Sequence, residues 1–177
     1  MIIPTRYLYY AAIAGIFIVL KLAYAHLDTA ALRFLLAPTN VLVGTALNSP
    51  SYFTATHGYV HKALHFTIEK SCSGYNFWLM CWVLLEVEWG RYAGIGWRLA
   101  GALPALLVLS YGLTVCVSAA RILTAVQLRA LLPVASQSVG WLHEAEGVLI
   151  YLFFLVSIYI GFFYLLTRRF AAYAHTM

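Results

Sequence analysis

The sequence predicts an all-α integral membrane protein, a single-domain helical bundle of about four transmembrane spans with a re-entrant or interfacial segment and a short outer β-hairpin. Three observations carry this expectation. Of the 177 residues, 63% are hydrophobic and only 10% charged, and the mean hydropathy of +0.84 exceeds what a water-facing surface tolerates. Apolar runs recur at lengths that match a hydrocarbon core. Lys and Arg alternate in density from one polar segment to the next, as membrane topology requires.

The first run, Tyr7 to Ala25, has 19 residues and would rise about 28 Å as a helix, with Lys21 reaching the interface along its own methylenes. It reads as a span. Arg6 before the apolar core and Ala23-Tyr24-Ala25 after it also fit a signal peptide, and either way residue 26 emerges on the outer side. From His26 to Ser73 the character changes. Asp28 is placed to cap a short helix that Pro38 would end, and Val41 to Leu47 is apolar but too short to cross alone, hence the re-entrant or interfacial reading. Between Tyr52 and Glu69 β-branched and aromatic residues increase, with turns expected at His57-Gly58 and Lys62-Ala63, which gives the outer hairpin.

A second span is predicted from Tyr75 to Trp89, continuing to Tyr92. Gly90, Gly94 and Gly96 then form a tight loop before a third run, Leu99 to Val117. Ile122 to Trp141 is mixed, carrying Arg129 and Pro133. Gly147 to Leu166 follows, 20 residues without a charge, the strongest transmembrane signal in the chain.

Charge orients these pieces. Met1 to Arg6, Gly90 to Arg98 and Thr167 to Met177 hold five Lys/Arg in 26 residues and no acids. His26 to Gly74 and Ser118 to Glu146 hold five in 78, with Asp28, Glu69, Glu144 and Glu146 among them. Four spans with both ends inside satisfy this asymmetry. The net charge of +5 is thereby explained by topology, since the basic residues form no stripe and no nucleic-acid motif.

On that topology three chemically capable residues reach one membrane depth on the outer side. Cys72 stands in Ser71-Cys72-Ser73-Gly74 at the start of the second span, where free N–H groups and the positive end of the helix dipole stabilise a thiolate. Arg121 ends the third span after Ser118-Ala119-Ala120. A guanidinium there is costly unless paired or functional, and it can stabilise an oxyanion or hold a carboxylate; a snorkelling anchor is the bland alternative. His143 opens the fourth span and can exchange a proton with a thiol or a leaving amine, with Glu144 and Glu146 as candidates to orient its ring. Taken singly, each also reads as an ordinary packing or interfacial residue.

The segments SCSGYNF at 71–77, SAARIL at 118–123 and HEAEG at 143–147 resemble, in order and outer-face placement, the Cys, Arg and His signatures of exosortases and archaeosortases. The chain's short length makes it most similar to the compact exosortase K subgroup. The resemblance covers roughly residues 65 to 150. It implies a membrane cysteine transpeptidase or protease that cleaves a C-terminal sorting signal, consisting of a short motif, a transmembrane helix and a basic tail. It further implies Cys72 as nucleophile, His143 as acid/base and Arg121 as transition-state stabiliser, as in soluble sortases by convergence. The implied partners are exported proteins, the lipid bilayer and an acceptor nucleophile, with no cofactor and no nucleic acid. The implied location is the cell membrane, with the site on the extracytoplasmic face.

Other signals compete. His57, His61 and His65 recur every four residues and would share one face of a helix or of a strand, but no acid or thiol at ligand spacing supports a metal. Glu86 and Glu88 could serve a proton or ion pathway in a small transporter, although pairing with Arg91 or Arg98 is the simpler account. Cys81 falls about 180° around the helix from Cys72, and both it and Cys116 read as inert buried thiols. The 18 tyrosines and tryptophans read first as interfacial anchors. A non-enzymatic assembly or chaperone subunit that binds transmembrane helices is the alternative function, for which Cys72 would be dispensable.

Overall fold

The computed structural model describes residues 5–92, 97–131 and 140–174. Five α-helices account for most of them: α1 (Thr5–His26), α2 (Arg33–Ala46), α3 (Tyr75–Tyr92), α4 (Trp97–Leu131) and α5 (Gly140–Ala174). Between α2 and α3 lies a small antiparallel sheet of β1 (Tyr52–Thr54), β2 (Gly58–His61) and β3 (Phe66–Ile68), in the order β1-β2-β3. Among the described residues, three helical stretches are long and apolar enough to cross a membrane: Arg6–His26, Gly101–Arg129 and Ala145–Arg169. α3 is not one of them. Its 18 residues include Glu86, Glu88 and Arg91.

α3 packs on α1, α4 and α5, and α4 touches every other helix, with α2 packed on it. Two adjoining cores result. One gathers Tyr9 and Ile13 of α1, Phe77, Trp82 and Leu85 of α3, and Leu106 and Val117 of α4. The other joins Leu35, Leu36 and Val43 of α2 to Ile68, Leu79, Val115 and Ile122. The first helix is thus built into the bundle, and the hydroxyl of Tyr75 donates to Leu20 O at 3.0 Å to bind it further.

Several expectations need correction. Asp28 does not cap α2, whose N-cap is Leu32 without a side-chain bond; its Oδ1 accepts the Ala31 N–H at 2.8 Å in the turn before the helix, and Pro38 lies inside α2 and does not end it. Proline removes the N–H that would have reached the carbonyl of Phe34. That carbonyl accepts instead from the Tyr111 hydroxyl of α4 at 2.7 Å, so the helix continues with its orphan satisfied. The expected hairpin is a three-stranded meander, because Lys62–Leu64 forms a 3₁₀ turn and Phe66–Ile68 returns to pair with β2. α4 runs past Val117 to Leu131, and α5 begins at Gly140 rather than Gly147. Both extensions carry polar and charged residues, and a helix needs an all-apolar surface only within hydrocarbon. Gly94 and Gly96, Pro133, and the side chain of Arg98 lie outside the described residues.

Among the described residues Glu86 pairs with no arginine. Wholly buried between α1 and α3, it accepts from the Tyr9 hydroxyl and from Trp82 Nε1, the latter at 2.9 Å. Glu88 makes the expected ion pair, 2.7 Å from Arg91. The three histidines separate rather than share a face. His57 sits in the exposed β1–β2 turn, His61 is buried on β2, and His65 closes the 3₁₀ turn with φ +51°. Cys81 is buried, as expected, whereas Cys116 is exposed on α4.

Candidate functional site

The segment between β3 and α3 is short and tightly determined. Lys70–Cys72 forms a single 3₁₀ turn, with the Cys72 N–H donating to Glu69 O at 2.9 Å. Gly74 follows with φ +68°, and a Cβ there would collide with Ser118 Oγ of α4. Only glycine supplies both the left-handed backbone and the close approach. The chain therefore turns into α3 directly against α4, with Cys72 half-buried on one side of the turn.

On that side Cys72 and Arg121 line one cavity of about 540 Å³. His65, Phe66 and Thr67 from the sheet end form its opposite wall, Glu69 and Ser71 its rim, and Ile122 and Ala125 extend the α4 wall. Ser71 Oγ donates to Glu69 Oε1 at 3.0 Å and lies 3.7 Å from Cys72 Sγ. Arg121 is held across the turn: its Nη1 donates to Ser71 O and to the Tyr151 hydroxyl, both at a long 3.4 Å. The guanidinium also sits 5.0 Å from the Tyr151 ring centroid, in cation–π range. A nucleophile-capable thiol and a fixed cation thus face one solvent-sized space, the pairing that acyl chemistry at a carbonyl needs.

Two of the three expected site residues are brought together in this way. His143 belongs to α5, but its side chain and that of Glu144 lie outside the described residues. The backbone register is informative nonetheless. Position 143 is one turn, about 6 Å along the axis, before Gly147 on the same helix. Gly147 packs directly on the Arg121 side chain.

The sheet wall is anchored from behind. His61, buried and stacked on Phe66 at 4.5 Å, hydrogen-bonds through Nε2 to Asn40 Oδ1 (2.9 Å) and through Nδ1 to Ser49 Oγ (3.1 Å). Asn40 in turn donates to Ser51 Oγ at 2.9 Å. Burial pushes the imidazole below its ordinary value of 6.5 against the opposing hydrogen bond to Ser49, which favours the neutral ring. No group of three or more His, Cys, Asp or Glu side chains able to hold a metal occurs among the described residues.

A second cavity of about 300 Å³ lies on the other side of the same turn. It is mostly apolar, bounded by Tyr24 of α1, Phe77 and Met80 of α3, and Val148 and Leu152 of α5, and Ser71 lines both spaces. Sequence reasoning missed Gly147 and Tyr151 as neighbours of Arg121, treating the tyrosine as one interfacial anchor among many. The available signal was the spacing 143-147-151, successive turns of one helical face. Comparison of the chain with protein-family models, with curated proteins and with solved structures found no match.

Proposed function

We propose that this chain is a membrane-embedded cysteine transpeptidase or protease of the exosortase/archaeosortase type. The observation that carries the reading is the single cavity lined by both Cys72 and Arg121. The three long apolar helices make the bilayer its solvent, and α3, sheathed by α1, α4 and α5, serves as the fourth crossing. Both termini then lie inside, and the Cys72 cavity opens on the extracytoplasmic face of the cell membrane.

The Cys72 thiolate attacks the scissile carbonyl of an exported protein's C-terminal sorting signal. A C–S bond forms, and the resulting oxyanion faces the Arg121 guanidinium. The C–N bond then breaks, with His143 giving the departing amine its proton, and an acceptor amine or water displaces the thiolate from the thioester. The bilayer aligns enzyme and substrate helix, which supplies much of the rate.

Covalent trapping tests this. Wild type, Cys72→Ala, His143→Ala and Arg121→Ala are expressed with a candidate sorting-signal substrate and analysed by mass spectrometry. The expected result is a thioester adduct on Cys72 in wild type, much slower adduct formation in the His143 and Arg121 variants, and neither adduct nor processing in Cys72→Ala. Equal processing by Cys72→Ala would overturn the reading and favour a helix-binding assembly or chaperone subunit. The apolar cavity beside α5 suits such a role.

A further inference from the structure

The guanidinium of Arg121 is positioned by α5 more than by its own helix. Its two polar contacts are long, and one goes to a main-chain carbonyl of the Cys72 turn. The rest of its seat is a notch and a platform one turn apart. At Gly147 a Cβ would stand 2.5 Å from both Nε and Nη2 of Arg121, so the absence of a side chain is what admits the cation. At Tyr151 the ring lies under the guanidinium and the hydroxyl meets Nη1.

Tyr151 is itself held at both its ring and its hydroxyl. Its ring stacks on Phe77 of α3 at 5.0 Å with the planes 22° apart, and its hydroxyl lies 3.4 Å from Ser118 Oγ of α4. The same hydroxyl is 3.3 Å from where a Cβ of Gly74 would be, so it touches the turn that carries Cys72. One phenolic oxygen therefore meets the cation, the Cys72 turn and α4. An oxyanion stabiliser works only if held in place before charge develops.

We infer that Tyr151 is a positioning residue for Arg121, with Gly147 providing the clearance that lets the pair form. The inference rests on the cysteine-enzyme reading for its kinetic consequence, but not for its structural one. Tyr151→Phe keeps the ring and loses the hydroxyl contact, and is expected to slow Cys72 acylation about tenfold with KM little changed. Gly147→Ala displaces the cation outright and is expected to cost about 100-fold or more.

The experiment has two readouts on the full chain in detergent. One is the acylation rate of Cys72 in Tyr151→Phe, in Arg121→Ala and in the double variant. The other is the rate at which phenylglyoxal labels Arg121, followed by peptide mass spectrometry. If Tyr151 acts through Arg121, Tyr151→Phe has no further effect in the Arg121→Ala background, and labelling of Arg121 rises severalfold. Equal slowing in both backgrounds, or unchanged Arg121 labelling in both Tyr151→Phe and Tyr151→Leu, overturns the inference. Faster labelling without Cys72 acylation even in wild type would sustain the positioning role while sinking the enzymatic reading.

Discussion

Lys70 closes the C-terminal end of α1 over Tyr24. Its Nζ donates to Leu27 O at 2.5 Å and to Tyr24 O at 3.2 Å, and stands 4.7 Å from the Tyr24 ring centroid. A cation here meets the negative end of the helix dipole and satisfies carbonyls that the helix leaves unpaired. Because Lys70 opens the 3₁₀ turn ending at Cys72, the end of α1 and the candidate nucleophile are mechanically joined. Lys70→Met should lower stability by about 1–3 kcal/mol, with Lys70→Arg intermediate. Thermal unfolding in detergent reads the stability, and faster proteolysis at 70–74 would report the loosened turn.

Tyr111 and Pro38 form a compensating pair, since the hydroxyl of one serves the carbonyl that the other leaves unpaired. Tyr111→Phe is expected to cost about 1 kcal/mol in the native background. In Pro38→Ala an amide returns to that carbonyl, and the same change should cost much less. A double-mutant cycle of unfolding free energies measures the difference; equal costs in both backgrounds would disprove the compensation.

His61 makes the sheet sensitive to acid. Its folded value is lowered by burial, so the unfolded chain takes up the proton first. The stability tied to the neutral ring is complete above the ordinary 6.5 and is lost as pH falls from there through the folded value. Melting temperature should therefore decline between about pH 7 and pH 5 in wild type. The decline should be shallower in His61→Gln, which cannot titrate; identical slopes in the two proteins would refute the assignment.

Glu86 offers a clean separation of structural from transport chemistry. It accepts from Tyr9 through Oε2 and from Trp82 through Oε1, between α1 and α3; a glutamine keeps one acceptor for Trp82 and turns its amide N–H toward the Tyr9 hydroxyl, which can accept as well as donate. Glu86→Gln should therefore fold and retain Cys72 acylation within a few-fold, whereas Glu86→Leu leaves the Tyr9 hydroxyl and Trp82 Nε1 only their longer contacts to the main-chain carbonyls of residue 86 and Leu103 and should destabilise by about 1–3 kcal/mol. A proton or ion pathway would instead fail in the glutamine variant, which flux measurements in proteoliposomes would reveal.

The parts of this fold legible in the sequence are those where one residue decides the backbone. Gly74 and the apolar run after it mark the start of α3, and the observed Tyr75–Tyr92 matches the expected limits. Cys72 and Arg121 could be singled out because each stands at a boundary between a polar segment and an apolar run. What was not legible depends on partners distant in sequence. Pro38 reads as a stop until Tyr111 is seen to relieve it. Glu86 reads as an arginine partner until α1 brings Tyr9 to it. The third strand, Phe66–Ile68, is only three residues long, too short for alternation to register. Gly147 and Tyr151 gain meaning only once α4 places Arg121 against them.

α5 carries both the notch and the platform for Arg121, yet the most apolar stretch of that helix contains no buried residue. Val148, Leu152 and Phe153 are exposed alongside the very turn that seats the cation. What holds this helix on α3 and α4 is its partly buried face, Tyr151, Phe154, Leu155 and Ile158, while its outward face is left to whatever surrounds the bundle. On the membrane reading proposed above, a thin micelle and a thick bilayer would tilt α5 differently, and the accessibility of Arg121 should follow lipid chain length.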